Sequence, residues 1–144
     1  MTWNVRAFRP EDTESVVALW DDAGLTRPWN DPRRDIERKL SVQPELFLVA
    51  VDDEAASRII GTVMAGYDGH RGWLYYLSSA SSHRRRGVGR ALVAEAERLL
   101  RDMGCPKVQL MVREGNEQAL EFYDELGYER FSVSNTGKRL IVDA

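Results

Sequence analysis

The chain has 144 residues, 43% of them hydrophobic and 30% charged, with a formal net charge of −3. That size fits one domain around one core, and no stretch approaches the ~18 apolar residues of a membrane-spanning helix. The negative balance excludes a global field that would draw the protein to nucleic acid or to an anionic bilayer, while the single Cys105 and the polar start Met1 to Arg6 exclude an internal disulfide and a secretory signal, so a soluble, cytoplasmic protein is expected.

Asn4 to Arg9 reads as a first strand. From Glu11 to Ala23 the apolar residues Val16, Val17 and Trp20 recur at helical spacing behind an acidic first turn, with Gly24 placed to cap the end. Asp31 followed by Pro32 starts a second helix, because proline in the first turn gives up no needed donor; Ile36 and Leu40 then share a face, and Pro44 closes it. The apolar runs Leu46 to Val51 and Ile59 to Gly66 flank a polar stretch and read as a hairpin, followed by a strand from Trp73 to Ala80.

The longest helix is expected from Val88 to Met103, with Val88, Leu92, Ala96, Leu99 and Met103 on one side and Gly104 and Pro106 ending it. A strand from Lys107 to Val112 leads to a helix from Glu117 to Leu126 stopped by Gly127, and Asn135-Thr136-Gly137 reads as a turn joining two final strands. The order β-α-α-β-β-β-α-β-α-β-β gives an α/β domain with a mixed sheet.

The stretch Ser81-Ser82-His83-Arg84-Arg85-Arg86-Gly87-Val88-Gly89-Arg90 joins a strand to that longest helix. The first amides of a helix have no partner within it and sit at its positive end, glycines let backbone approach an anion, and arginines add charge-assisted hydrogen bonds. A polyphosphate site is the leading reading; an ordinary strand-to-helix connection is the plain one. Neither G-x-G-x-x-G nor G-x-x-x-x-G-K-[ST] is present. What remains is [R/Q]-x-x-G-x-[G/A], read at Arg84, Gly87 and Gly89.

That pattern after its strand resembles the acetyl-coenzyme A loop of the GNAT superfamily of N-acetyltransferases. A second match follows: Asn116 to Tyr128 is similar to the family's N-x-x-A-x-x-[FL]-Y-x-x-x-G-[FY] segment. The opening half, with Arg27-Pro28-Trp29-Asn30-Asp31-Pro32 and Gly66 to Gly72, looks like that of the small bacterial YpeA-like acetyltransferases. The resemblance implies a single GNAT-like domain over residues 1–144, with a mixed, mostly antiparallel sheet. It also implies a central parallel strand pair, ending near Ala80 and Val112, that splays apart to admit the pantetheine arm of acetyl-coenzyme A.

It implies roles residue by residue. The pyrophosphate falls to the amides of Arg85, Arg86, Gly87, Val88, Gly89 and Arg90, with Arg84 opening the motif, and the pantetheine arm to the strand edge Leu77, Ser78 and Ser79, where this chain has serines in place of the more usual apolar or glycine residues. Tyr123 takes the position of the general acid that protonates the leaving thiolate, since a phenol of pKa ~10 faces a thiol of ~8.5. Asn116 takes that of the residue bonding the pantetheine amide. On spacing alone Tyr123 is also an apolar-face aromatic beside Phe122 and Leu126, and Asn116 an N-cap.

No general base stands out, although an amine of pKa ~10.4 must lose a proton before it attacks. Asp68 and His70, in a glycine-flanked loop, and Glu114 are weak candidates, each more simply read as a turn or surface residue. Arg27, Trp29 and Asn30 lie in the connection that borders the acceptor pocket in the family. A guanidinium and an aromatic there suit a planar or carboxylated acceptor, while a core plug at Trp29 and a cap at Asn30 and Asp31 remain open. Trp3, Trp20 and Trp73 read as core, and Cys105 as buried and inert. With only His70 and His83, and no paired cysteines, no metal is expected.

The expected activity is direct transfer of an acetyl group from acetyl-CoA to a primary amine, small-molecule or peptide, by a monomer or homodimer without nucleic-acid or membrane partners. The rival is an acetyl-coenzyme A sensor or interaction module without turnover.

Overall fold

A computed structural model describes residues 3–54, 58–83 and 86–143. It contains five strands, β1 (Trp3–Ala7), β2 (Phe47–Asp52), β3 (Ile59–Tyr67), β4 (Gly72–Ser79) and β5 (Val108–Leu110). The helices are α1 (Thr13–Asp22), α2 (Pro32–Leu40), α3 (Val88–Asp102) and α4 (Glu117–Glu125). The strands lie in chain order in one sheet, antiparallel throughout except for the parallel pair β4 and β5.

Every residue of β2 is buried, as an apolar strand covered on both faces must be. On one face Val88, Leu92, Val93, Ala96 and Leu100 of α3 pack on Leu48, Ala50, Ile60 and Val63; on the other, Val16 and Trp20 of α1 and Ile36 of α2 pack on Phe47 and Val49. Met103, expected on the buried side of α3, is instead its C-cap residue and 40% exposed. In α2, Leu40 is likewise exposed at the last position and Lys39 is buried in its place. The lysine stem covers apolar surface while its ammonium donates to the Ala65 carbonyl of β3, and burial depresses its pKa.

β4 and β5 pair only through Gly72–Val108, Trp73–Gln109 and Leu74–Leu110. From Tyr75 to Ser79 the β5 side of β4 carries no strand among the described residues, so the pair splays as expected, with β5 shorter than the sequence suggests. The two final strands around Asn135-Thr136-Gly137 do not form, which leaves the parallel pair at the end of the sheet. Residues 128–139 have no regular structure, and Val133 and Leu140 are 81% and 87% exposed. Side chains anchor this tail instead of a ladder: the buried Asp143 carboxylate accepts from the Asp31 amide at 2.9 Å, from Arg139 at 2.9 Å and from Arg38.

Candidate active site

β4 reaches its free edge through an irregularity. Thr62 of β3 faces Ser78 and Met64 faces Tyr75, so Val63 alone stands opposite both Tyr76 and Leu77. This is a bulge with the extra residue on β4. Tyr76 takes a φ of 53°, a left-handed conformation that a side chain resists. After it come Leu77, Ser78 and Ser79. The Ser78 hydroxyl is buried and has no hydrogen-bond partner among the described residues. Ser78 stands opposite Thr62, whose side chain meets Trp20 of α1, so this serine leaves a polar atom without a partner on the α1 face of the sheet.

The start of α3 faces the same end of β4. Gly87 is its N-cap with φ 81°, no side chain caps the helix among the described residues, and a Cβ on Gly87 would meet nothing within 4 Å. The first amides of α3 therefore open onto free space beside a glycine, which suits a polyphosphate. Gly89, unlike Gly87, does not have a positive φ. It lies in the helix, and its Cβ would stand 3.3 Å from Cζ of Phe122, so the requirement there is close packing on α4. Arg86 and Arg90 are exposed, the latter 4.0 Å from Glu125, and Val88 is buried in the core. Arg84 and Arg85 lie outside the described residues.

On α4 both sequence readings of Asn116 and Tyr123 can be placed. Asn116 is the N-cap, its Oδ1 accepting from the Ala119 amide at 3.2 Å, which leaves its amide nitrogen to a ligand. Tyr123 packs edge-on against Phe122 at 5.1 Å and Tyr128 at 5.5 Å, and Tyr128 donates to Glu97 at 2.7 Å. Burial alone pushes the Tyr123 phenol up to about 12, so it keeps its proton across the neutral range. The ring also lines a cleft of about 990 Å³ enclosed by α3, β5, α4 and the tail. Neither Gly87 nor Leu77 to Ser79 borders that cleft, so it is not where the anion loop and the strand edge meet.

On the other face, the connection between α1 and α2 is tied into a polar network. Asn30 donates to Asp35 at 2.6 Å and to the Tyr76 hydroxyl at 3.2 Å, and accepts from Arg139 at 2.7 Å; Tyr76 in turn donates to Asp35 at 2.7 Å. Asp31, not Asn30, caps α2, accepting from the Arg33 amide. Arg27 donates to the carbonyls of Gly24 and Thr26. Trp29 is 58% exposed, which removes the core-plug reading. Beside this network lies a shallow cleft of about 340 Å³ walled by Val42, Met64, Tyr75 and Tyr76, with Asp35 and Arg38 at its margin.

Asp68 and His70 sit in the turn joining β3 to β4, at the end of β4 opposite Ser79. Asp68 Oδ1 accepts the amides of Arg71 at 2.7 Å and His70 at 2.8 Å, and Oδ2 accepts the Trp73 indole at 3.3 Å. Those backbone bonds, Arg71 first, hold the Asp68 carboxyl below its usual range, which makes it a weak proton acceptor. Glu114 is exposed in the β5–α4 connection. Trp73 is half-buried rather than core, and Cys105 is half-buried with its thiol directed to the Lys107 carbonyl at 3.4 Å. Among the described residues, no cluster of three His, Cys, Asp or Glu side chains could hold a metal ion, and no helix is long and apolar enough to cross a membrane.

Sequence reading missed Thr62, Asp35, Tyr76 and Asp143. The signal for Thr62 was available: a lone hydroxyl in the otherwise apolar run Ile59 to Gly66 must find partners if the strand is buried.

Residues 8–128 match the family model described as the acetyltransferase (GNAT) family. An acetyltransferase of Pectobacterium atrosepticum, ECA0875, is 50% identical over 139 residues, covering 96% of each chain. Among solved structures, Ard1 from Thermoplasma volcanium superposes with a TM-score of 0.78 at 27% identity, over 92% of this chain and 86% of that one. A chain of the NatC complex bound to Gag peptide and CoA gives 0.80 at 25% identity, over 92% and 87%.

Proposed function

We propose, from the premise that this chain belongs to the GNAT acetyltransferase family and is an acetyl-CoA-dependent acetyltransferase, that it transfers the acetyl group to a primary amine by direct transfer in a ternary complex. The observation that carries this reading is the convergence of two features at one end of β4: a strand edge with no partner among the described residues, and an uncapped helix start opened by Gly87.

Acetyl-CoA supplies an activated thioester, and the chain's residues divide the remaining work. The amides from Gly87 to Arg90 bind the pyrophosphate, with Gly87 giving the close approach, while the Arg86 amide is taken by the His83 carbonyl at 3.3 Å; Arg84 and Arg85 complete the loop in sequence. The edge Leu77 to Ser79 bonds the pantetheine arm, joined by the free amide nitrogen of Asn116. Tyr123 serves the sulfur. With its pKa raised to about 12, against ~8.5 for a free thiol, its first contribution is a hydrogen bond to the charge developing on sulfur. The proton passes as the C–S bond breaks and the C–N bond forms.

The acceptor enters from the opposite face of the sheet, by the cleft walled by Met64 and Tyr75, with Asn30 bonded to two of its lining residues, Asp35 and Tyr76, and Arg27 and Trp29 in the same connection. Asp68 is kept out of the base role because the turn amides take up its carboxylate, and His70 sits in the same turn, at the end of β4 away from Ser79; the ammonium proton leaves to solvent before attack. A small-molecule or peptide amine suits this arrangement, in a cytoplasmic setting. The test is thiol release by the purified protein with acetyl-CoA across a panel of amines, amino acids and peptides. Acceptor-dependent release supports the reading. Tight coenzyme binding with no release across the panel supports the non-catalytic sensor.

A further inference from the structure

Two non-glycine residues among those described have a positive φ, Gln43 and Tyr76, and only Tyr76 interrupts a strand. Strain of this kind costs of order 1 to 3 kcal/mol and persists only where the surroundings hold it. Here the holding groups are identifiable. The Thr62 hydroxyl, completely buried, donates to the Tyr76 carbonyl at 2.7 Å and accepts the Trp20 indole N–H at 2.9 Å. The Trp20 ring stacks on the Tyr76 ring with centroids 3.8 Å apart and planes 14° from parallel. At the far end of that ring the hydroxyl donates to Asp35 at 2.7 Å.

We infer that Thr62 is a positioning residue for acyl transfer: its hydroxyl locks the Tyr76 bulge and thereby decides which backbone groups of Leu77, Ser78 and Ser79 face the free edge of β4.

The argument is one of strand parity. Successive residues of a strand direct their amide and carbonyl groups to alternate neighbours, as successive side chains alternate between faces. Thr62 pairs with Ser78 and Gly61 with Ser79 because one extra residue has been absorbed at Tyr76. Removing the bulge slips the rest of β4 by one residue. Such a slip sends every side chain beyond it to the other face and exchanges the amides that meet β3 with those that meet the splay. The backbone groups of Leu77, Ser78 and Ser79 assigned to the pantetheine arm would then face β3 instead of the open edge. Thr62 is well suited to prevent this, since its backbone pairs with Ser78 while its side chain binds the carbonyl two residues earlier. Through Trp20 and Asp35 the same lock joins the acceptor-side helices α1 and α2 to the coenzyme edge.

This inference rests on the assignment of Leu77 to Ser79 as the pantetheine edge, so the experiment separates the two. Acetyl-CoA and its fragment 3′-phospho-ADP, which ends at the pyrophosphate, are titrated by calorimetry into the wild type and into Thr62→Val, Thr62→Ala and Thr62→Ser. Valine keeps the shape and removes the hydroxyl; serine keeps the hydroxyl; alanine serves if valine does not fold. The expected result is an affinity for acetyl-CoA at least about tenfold weaker in Thr62→Val, or about threefold in Thr62→Ala, with the fragment within twofold of wild type and Thr62→Ser within threefold on both ligands. Acetyl-CoA binding within twofold of wild type in the hydroxyl-free variant, whatever its melting temperature, overturns the role of Thr62. Failure of the fragment to bind the wild type strikes the loop assignment instead.

Discussion

Gly89 at the start of α3 lies against Phe122 of α4, so closely that a Cβ on Gly89 would stand 3.3 Å from the ring's Cζ. The contact fixes the distance between the two helices that carry the proposed phosphate site and Tyr123, and it assigns the second glycine of the loop motif to packing. Gly89→Val places two further methyl groups in that contact and costs about 1 to 3 kcal/mol through overpacking. Thermal unfolding and turnover should fall together, because α4 must shift and Tyr123 moves with it. A variant with wild-type stability and rate would show that the helices tolerate the displacement.

Gly87 is predicted to behave differently. Its Cβ has open space on every side, so Gly87→Val strains φ without crowding any described neighbour, and the added side chain occupies the approach of the anion. The circular dichroism spectrum should be unchanged and coenzyme binding abolished. In a melting scan, acetyl-CoA at ~100 times its dissociation constant adds ~2.7 kcal/mol to the wild type; the variant should show no rise. Equal stabilisation of both proteins would remove the loop from the phosphate site.

Three aspartates tie stability to acid pH. Burial pushes the Asp12 carboxyl up, but the Arg6 guanidinium and the Arg9 amide outweigh it and the net shift is down; Asp143 is lowered chiefly by Arg38 and Asp68 by the Arg71 amide. A carboxylate whose folded pKa lies below its unfolded value near ~3.9 contributes stability that is present above that value and lost as pH falls through the folded one. Melting temperature should therefore hold between pH 7 and 5 and decline steeply below pH 4. Asp12→Asn should flatten part of the decline. A wild-type profile level down to pH 3 would contradict the sign.

Asp68→Ala removes the acceptor for two turn amides and should lower the melting temperature while leaving turnover within about twofold, since the turn lies at the far end of β4. A loss of 10² or more in rate, of the size a missing base produces, would return Asp68 to the chemistry.

The tail makes its own prediction. Asp143→Ala removes the shared acceptor of the Asp31 amide, Arg38 and Arg139. Amide hydrogen exchange should speed up at the start of α2 and in residues 139–143, while exchange in β2 and β3 stays unchanged. Unaltered exchange at Asp31 would show that the anchor is dispensable.

How much of this was legible follows from the range of each signal. The strands and helices through α4 are fixed by local periodicity, capping residues and glycine stops, and the structure keeps them with ends shifted by a few residues. Local patterns extended the fold too far after Gly127, because Val133, Leu140, Ile141 and Val142 look like strand residues, yet strands need a ladder partner. The tail finds its anchor in charged groups far away in the chain, Arg38 and Asp31. The proposed phosphate loop could be located at Gly87 and its arginines because such chemistry resides in contiguous backbone. The Tyr76 bulge could not, since nothing in Tyr75-Tyr76-Leu77 marks a positive φ and the groups holding it come from α1, α2 and β3. Lys39 was hidden for a related reason: a lysine at a buried helix position is read as exposed until a carbonyl such as that of Ala65 is found beside it.

Tyr123→Phe is the most direct test of the account, because it removes the phenolic hydroxyl and almost nothing else. Burial is the cause of the raised phenol pKa, and that burial survives in phenylalanine. Acetyl-CoA affinity should stay within about twofold of wild type and the fold should be retained. Turnover under saturating acceptor, in conditions where chemistry limits the rate, should fall by the ~10² to 10⁴ typical of a missing acid group. An unchanged turnover number on the same preparation would contradict the assignment of Tyr123 to the leaving sulfur.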